Sequence, residues 1–383
     1  MRLCVVSGTF HPETGGPPTF LYRLLPELIQ RGHSIHVVTY GESDYPTQYP
    51  YAVTRISRRQ PIPFRLIHMS LTILRVAREA DVIFVSDYGL PVVLVNLILR
   101  KPILLKNVGD FAWEFSTRHN WIPRGQTIDE FQIAPHSLRV NFLCALQRWY
   151  TAAAATVIAP SQYSASLAVG WGIDPRRVQV IYNALDPIRN LPSRDQVRRD
   201  LNIAFPLVLT VARLAPWKNV DKVIRATMRV REKFPKARLI IIGDGPEHSN
   251  LQSLISNLQL DDAVSLLGAQ PPHVVHHYLR AADVFVLFST YEGLPHTVLE
   301  AMQAESPVIV SDAGGNLEVV EDGITGRVVN KSDEAGLAAA IADVIAHPES
   351  AAARAKAAIP KLNRFSWSHL VNNYDRALQE LIK

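Results

Sequence analysis

Two glutamates separated by seven residues give the first chemical lead: Glu292 and Glu300, in the run Y-E-G-L-P-H-T-V-L-E-A-M that spans residues 291–302. An apolar strand pattern at 284–287 precedes them, and a helical pattern is expected over 297–304. Glu292 then falls in the loop at a strand's carboxyl end and Glu300 about one turn into a helix. Between them, Gly293, Leu294, Pro295 and Thr297 lie where a helix N-terminus offers backbone N–H groups to an anion such as phosphate. A carboxylate at 300 is suited to accept hydrogen bonds from sugar hydroxyls. Taken alone, the same residues also read as a turn followed by an exposed helical glutamate.

A second window, A-R-L-A-P-W-K-N at 212–219, joins the strand pattern 207–211 to the helical pattern 220–234. Arg213 offers a planar fork and Lys218 a compact point charge, and on one loop both can face an anion at the sheet edge. A solvated basic turn is the other reading. A third, H-P-E-T-G-G-P-P-T at 11–19, follows the first strand and places Gly16 where backbone can approach a phosphate; Gly-Gly-Pro-Pro is also a plain turn. A fourth, I-G-D-G-P-E at 242–247, puts Gly245 before a helix-starting proline. None of these is G-x-G-x-x-G, so a nicotinamide fingerprint is absent and a dehydrogenase is disfavoured.

The elements that must position these windows alternate throughout the chain. Strand patterns fall at 3–6, 35–39, 82–85, 103–106, 156–159 and 178–181, with helical patterns at 19–31, 67–79, 90–100, 137–150 and 161–169. The second half repeats the scheme, with strands at 207–211, 238–242, 264–267, 284–287 and 308–311 and helices at 220–234, 246–258, 272–281, 297–304 and 334–346. Apolar runs separated by helices imply parallel sheets covered on both faces, with ligand sites beyond the strands' carboxyl ends. The polar stretch 186–204, with Pro187 and Pro192, reads as a linker. The segment 110–135 breaks the rhythm, with Phe111, Trp113, Phe115 and Trp121 among charges, and reads as an irregular loop, either a lid or a structural insertion.

Composition bounds the rest. The 383 residues suit two domains, and 48% hydrophobic with 20% charged residues is a globular balance. Forty Lys and Arg against thirty-five Asp and Glu favour anionic small molecules or an acidic membrane surface, and without a dense basic run nucleic acid is not expected as a partner. Cys4 and Cys144 are far apart and lack metal-ligand spacing, so neither a disulfide framework nor a metal site is expected. The N-terminus reads directly into a strand, and no apolar run is long enough to span a bilayer; the expected location is cytoplasmic. The run 55–65 carries Arg55, Arg58, Arg59 and Arg65, and an apolar-rich helix with Arg75 and Arg78 follows. Together they read either as a peripheral contact with an anionic bilayer on its inner face, or as a basic loop before a packed helix.

In this order and on these elements, the windows resemble the retaining glycosyltransferases of family four, the glycosyl transferases group 1. E-G-L-P-H-T-V-L-E is similar to that family's Glu-x7-Glu motif and A-R-L-A-P-W-K-N to its Arg and Lys pyrophosphate site. The first-loop glycines, I-G-D-G-P-E and the closing R-F-S-W at 364–367 also match, so the resemblance covers nearly the whole chain. It implies an α/β protein of the GT-B fold, two Rossmann-like doubly wound domains facing each other across a cleft. Residues 1–185 would form the acceptor-side domain, 186–204 the linker and 205–360 the nucleotide-sugar domain, with 361–383 packing back on the first domain.

By the same resemblance Arg213 and Lys218 hold the donor diphosphate, helped by Gly293, Leu294 and Thr297, and Gly16 lies against it. Glu300 binds ribose hydroxyls and Glu292 the transferred sugar; Pro295 and Gly245 complete the donor set. Many family members have a His near the transferred sugar where this chain has Asn107-Val108-Gly109-Asp110. Asp110 then joins Glu292, Arg213 and Lys218 as a catalytic candidate, with its target, acceptor or sugar, left open. The donor is expected to be a nucleoside-diphosphate sugar. The acceptor would be a saccharide or a lipid-linked molecule, as in polysaccharide biosynthesis.

The chain has no D-x-D and the cations are at hand, so transfer is expected to be metal-independent and to need no cofactor. The resemblance also implies retention of anomeric configuration. The rivals are a GT-B-like sugar-nucleotide epimerase, a pyridoxal-phosphate phosphorylase and a non-catalytic nucleotide-sugar binding module.

Overall fold

The computed structural model describes residues 1–13, 15–42, 48–87, 89–107, 109–123 and 125–382. Thr14 of the first glycine loop and Val108 of the 107–110 run lie outside these. The chain forms two compact units. Unit 1 comprises Met1–Ile122, Ala134–Tyr182 and Trp367–Lys383; unit 2 comprises Pro123–Ile133 and Asn183–Ser366.

Unit 1 contains β1 (Arg2–Ser7), α1 (Gly16–Gln30), β2 (Ser34–Tyr40), β3 (Ala52–Ile56), α2 (Ile62–Arg78), β4 (Val82–Val85), α3 (Leu90–Leu99), β5 (Ile103–Lys106) and α4 (Phe111–Arg118). A short helix, α5 (Ile128–Ile133), lies in the segment that groups with unit 2. Unit 1 resumes with α6 (Leu138–Ala152), β6 (Thr156–Ala159), α7 (Gln162–Gly170) and β7 (Val178–Val180). Its seven strands are parallel in the order β3-β2-β1-β4-β5-β6-β7. Cys4, Val6, Ile83, Val85, Ile103 and Leu105 point to one face and pack under α2 and α3. The direction of sheet growth reverses at β1, so right-handed crossovers place α1 on the opposite face from α2, α3 and α6.

Unit 2 contains α8 (Arg194–Asp200), β8 (Leu207–Val211), α9 (Val220–Lys233), β9 (Arg238–Ile242), α10 (His248–Asn257), β10 (Val264–Leu266), α11 (Pro272–Ala281), β11 (Val284–Leu287) and α12 (His296–Gln303). After these come β12 (Val308–Ser311), α13 (Asn316–Val319), β13 (Arg327–Val329), α14 (Glu334–Ala346) and α15 (Pro348–Ala358). Six parallel strands run β10-β9-β8-β11-β12-β13, reversing at β8. The last helix, α16 (Trp367–Glu380), belongs to unit 1. Its Tyr374 is 1% exposed, with the ring centred 5.4 Å from Phe20 and 5.7 Å from Phe84, while Arg31 and His33 both reach Asp375. These contacts fasten α16 to the α1 side of the sheet.

Three expectations need correction. The segment 110–135 is not irregular, because it holds α4 and α5, and Trp113 is a fully buried anchor. Residues 1–185 are not one block, since Pro123–Ile133 groups with unit 2, where Asp129 pairs with Lys331 at 3.0 Å. The stretch 186–204 is not wholly linker: Ser193 caps α8 through its hydroxyl, and Arg194 and Arg198 pair with Asp283.

Candidate active site

In unit 2 the predicted residues gather on loops at the carboxyl ends of β8, β9 and β11, three neighbouring strands around the reversal point. A doubly wound sheet leaves a crevice at such a point, because the flanking loops turn away to opposite faces. The β8 loop carries Arg213 and Lys218. Arg213 is exposed and makes no ion pair among the described residues. Pro216–Lys218 is one turn of 3-10 helix, and Asn219, at φ 47°, turns the chain into α9 while its amide donates to the Phe288 carbonyl at 3.2 Å.

The β9 loop fits against this one closely enough to require glycine. A Cβ on Gly243 would sit 1.9 Å from the Ala212 carbonyl oxygen, and one on Gly245 would sit 2.4 Å from that of Leu214. Backbone bonds from Leu214 to Asp244 and from Glu247 to Leu214 close the contact. Gly245, expected among the donor residues, therefore has a backbone role: it holds the loop that presents Arg213.

The β11 loop carries Glu292, which is 6% exposed. Lys218 Nζ donates to Glu292 Oε1 at 2.6 Å, and the Ser289 hydroxyl donates to the same oxygen at 2.6 Å. The two loops are also joined through backbone, Thr290 N to the Trp217 carbonyl at 2.8 Å. On the other side, Gly315 N bonds the Glu292 carbonyl at 2.8 Å, and a Cβ on Gly315 would lie 2.2 Å from the Gly293 carbonyl oxygen. Buried Asn316 donates to the Ser311 carbonyl, and the Ser311 hydroxyl bonds the Ser289 carbonyl. Sequence reasoning missed Ser289, Ser311, Gly315 and Asn316. The signal was present in D-A-G-G-N directly after β12, the same strand-then-glycine pattern as the other loops.

Helix α12 starts at His296 after Pro295. No side chain caps it and its first turn has no acid, which leaves its N–H groups and partial positive charge for an anion. Thr297 lies in that first turn, and Leu294 is buried beneath the loop. Glu300, on the next turn, is largely buried, and desolvation pushes its carboxyl up to about 7.

Unit 1 has its own strand-end cluster. Asp87, after β4, accepts from the Ser7 hydroxyl at 2.8 Å, the Gly8 N–H at 2.7 Å and the Thr9 hydroxyl at 3.3 Å, so it ties together the loops on both sides of the β1/β4 reversal. Burial raises its carboxyl, opposed by those bonds and by the charge of Arg58. Lys106, at the end of β5, is buried with Nζ 3.2 Å from the centre of the Phe20 ring. Desolvation lowers its ammonium to about 7, opposed by the charge of Asp87. Both line a cavity of about 150 Å³ with Asn107, Glu114, Arg118 and Tyr150.

Gly15 adopts φ +142° at the start of α1, whereas a Cβ on Gly16 would meet nothing within 4 Å; Gly16 lies beside open space on an uncapped helix. Asp110 is 1% exposed and caps α4, accepting from Trp113 N at 2.9 Å. His119 stacks on Phe115, and its Nδ1 donates to that residue's carbonyl, which ends the same helix.

Comparison with known proteins agrees with this architecture. Residues 14–189 match the family model described as Glycosyltransferase Family 4, and residues 193–360 match Glycosyl transferases group 1. The D-inositol 3-phosphate glycosyltransferase of Nocardia farcinica is 30% identical over 224 residues, 55% of this chain and 50% of that protein. One component of the human phosphatidylinositol N-acetylglucosaminyltransferase is 24% identical over 84% of this chain and 64% of its own length. The chain thus spans about half to two thirds of these curated relatives. Among solved structures, Anabaena HepE in complex with UDP and glucose superposes with a TM-score of 0.78 at 21% identity, covering 99% of this chain and 100% of that one. That likeness establishes the fold, GT-B.

Proposed function

Because this chain belongs to the glycosyl transferases group 1 of family 4, we propose that it transfers a hexosyl group from a nucleoside-diphosphate sugar to a hydroxyl of a saccharide or lipid-linked acceptor. The observation that carries the proposal is the grouping of Arg213, Lys218, Glu292, Glu300 and the open α12 N-terminus around one sheet reversal.

The leaving nucleoside diphosphate gains negative charge as its bond to the sugar breaks. Lys218, held by Glu292, and the α12 amides are fixed in advance to receive that charge, and the β8 loop presents Arg213 beside them. Each such donor typically contributes ~10²–10³ in rate, because a preorganised site has no solvent to rearrange. The Lys218–Glu292 pair sets the order of charges. Carboxylate, ammonium and phosphate alternate in sign only if Lys218 stands between Glu292 and the diphosphate. Glu292 then faces the sugar hydroxyls, where a carboxylate is a good acceptor and meets no like charge. Glu300 in its ionised form accepts from the ribose hydroxyls. Asp110 acts as a positioning residue: its carboxylate holds α4 and, through it, the loop that follows β5. Gly16 leaves the α1 N-terminus of unit 1 open to an anion.

In this scheme the protein's own cations do the work that a metal clamp does elsewhere, and the configuration at the anomeric carbon is retained. HepE carries UDP and glucose in its structure, and the relatives' names include inositol and phosphatidylinositol, which supports a nucleotide-sugar donor and a hydroxyl acceptor here.

The test is a thermal-shift screen of nucleoside diphosphates and their sugars, then turnover of the best donor with and without EDTA. The proposal expects one diphosphate series to raise the melting temperature and sugar transfer to survive chelation. Binding with no transfer or hydrolysis for any acceptor would favour a binding module, and conversion of the donor to its epimer a different enzyme. Strict dependence on added Mg²⁺ or Mn²⁺ would remove the cation-only mechanism.

A further inference from the structure

Unit 1 exposes apolar side chains in a pattern that folding does not require. On α2, Phe64, Ile67 and Leu71 recur at helical spacing on the outer face and are 58–68% exposed, with Ile62 beside them at the helix start. On α3 the outer face is Leu94, Leu97 and Ile98, at i, i+3 and i+4, again 48–72% exposed. On α6 it is Leu138, Phe142 and Trp149, at 40–90%. These three helices hold ten of the eighteen large hydrophobic residues exposed among the described residues. Each also has a separate buried face, such as Met69, Ile73 and Ala77 on α2 and Val92, Val93 and Val95 on α3.

All three lie on the same side of the sheet. The strand order sends the β3-to-β4, β4-to-β5 and β5-to-β6 crossovers to one face. The inner residues of α2 and α3, and Tyr150 of α6, pack on the same core. Their outer faces therefore look to the same side of unit 1, with α2 and α3 packed side by side. Three apolar outer faces on one side of a sheet mark a contact with something that removes them from water.

Charge selects what covers it. None of the three helices contains an aspartate or glutamate, while Arg65, Arg75, Arg78, Arg139 and Arg148 lie on them. Arg75 and Arg78 continue the exposed stripe of Phe64, Ile67 and Leu71 and make no ion pair among the described residues. A second copy of the chain meeting this face across a two-fold axis would set arginine against arginine, with Glu79 at the end of α2 as the nearest acid against five arginines on the three helices. No described helix is long and apolar enough to cross a membrane, so the contact is one of lying on the surface.

We propose that the outer faces of α2, α3 and α6 dock unit 1 on an anionic lipid bilayer, with the aromatic and aliphatic side chains at the acyl boundary and the arginines among the headgroups. The structure moves this surface away from the basic run 55–65. Arg55 bonds the His11 carbonyl, Arg58 pairs with Glu13 at 2.6 Å and Arg65 lies over Tyr40, so much of that run's charge is used inside unit 1.

The test is co-sedimentation of the full chain with phosphatidylcholine vesicles, with and without phosphatidylglycerol. The wild type should partition onto the anionic vesicles, and less so at high salt. A triple variant, Phe64→Ser with Ile67→Ser and Leu71→Ser, should lose about tenfold or more of that binding. So should Arg75→Glu with Arg78→Glu. All these positions are exposed, so circular dichroism should show unchanged folding. Equal partition with and without phosphatidylglycerol, variants that bind like the wild type, or a solution dimer abolished by the triple variant would each overturn the proposal. The readout is vesicle binding alone, so the result stands apart from that of the transfer assay.

Discussion

The two units share one construction and differ in what their helices show to water. In unit 2, α9 buries Val223, Ile224, Ala226 and Val230, and its outward positions include Arg229, which pairs with Glu334 of α14 at 3.3 Å. In unit 1, α2 and α3 bury the same kind of aliphatic face and present a second one outward. A doubly wound sheet needs only the inner face to be apolar. The outer apolar face of unit 1 is therefore an addition, as the Lys218–Glu292 cluster is an addition to unit 2. On the two proposals the diphosphate-holding cations lie in unit 2 and the lipid-facing surface in unit 1, a contrast that can be broken from either side.

The largest expected effect tests how unit 1 is held together. Tyr374→Ala should lower stability by about 3–5 kcal/mol, the usual range for truncating a buried aromatic ring, because it opens a void between α16, Phe20 and Phe84. Denaturant unfolding measures this, and a loss below about 1 kcal/mol would mean that α16 is not part of the unit 1 core. Next, Lys218→Ala should cut kcat/KM by ~10²–10³ while vesicle binding stays at the wild-type level. A joint loss of both would erase the division between the units.

A smaller effect follows from Glu300. Its folded-state value is raised to about 7, so the neutral acid favours the fold below the ordinary carboxyl range. That contribution is lost as pH rises through about 7. Donor binding needs the ionised form. Donor affinity measured by calorimetry should therefore tighten between about pH 6 and pH 8, by at most about tenfold per unit. Glu300→Gln should flatten both the affinity and the stability profiles; a pH slope that persists in the variant would assign the titration to another group. Smallest is Tyr374→Phe. The Tyr374 hydroxyl is buried with no hydrogen-bond partner among the described residues, so its removal should be neutral or stabilising by about 1 kcal/mol in the same unfolding assay.

What could be read in advance follows the strength of local pattern. Strands 238–242, apolar after Arg238, and 284–287, apolar throughout, lie between turn residues, and the structure forms them at those residues. β3, with mostly half-buried residues, and the three-residue β13 escaped notice because edge strands need no continuous apolar run. In 110–135 the aromatic residues hid a helix whose start was written in Asp110, a side-chain cap three residues before Trp113. For the site, the spacing of Glu292 to Glu300 and of Arg213 to Lys218 was visible because each pair lies within one strand-to-helix segment.

By itself, then, the sequence determined the run of strands and helices, the residue types at the strand ends and the family, because these depend on neighbours within about a dozen positions. Only the tertiary structure decided that Lys218 meets Glu292, seventy-four residues away. That contact exists because β8 and β11 lie side by side where the strand order reverses. It likewise decided that Phe64, Leu97 and Phe142 lie on one side of unit 1, since three separate crossovers had to fall on one face of a sheet. Which helix faces remain uncovered is settled by what the whole sheet has already used.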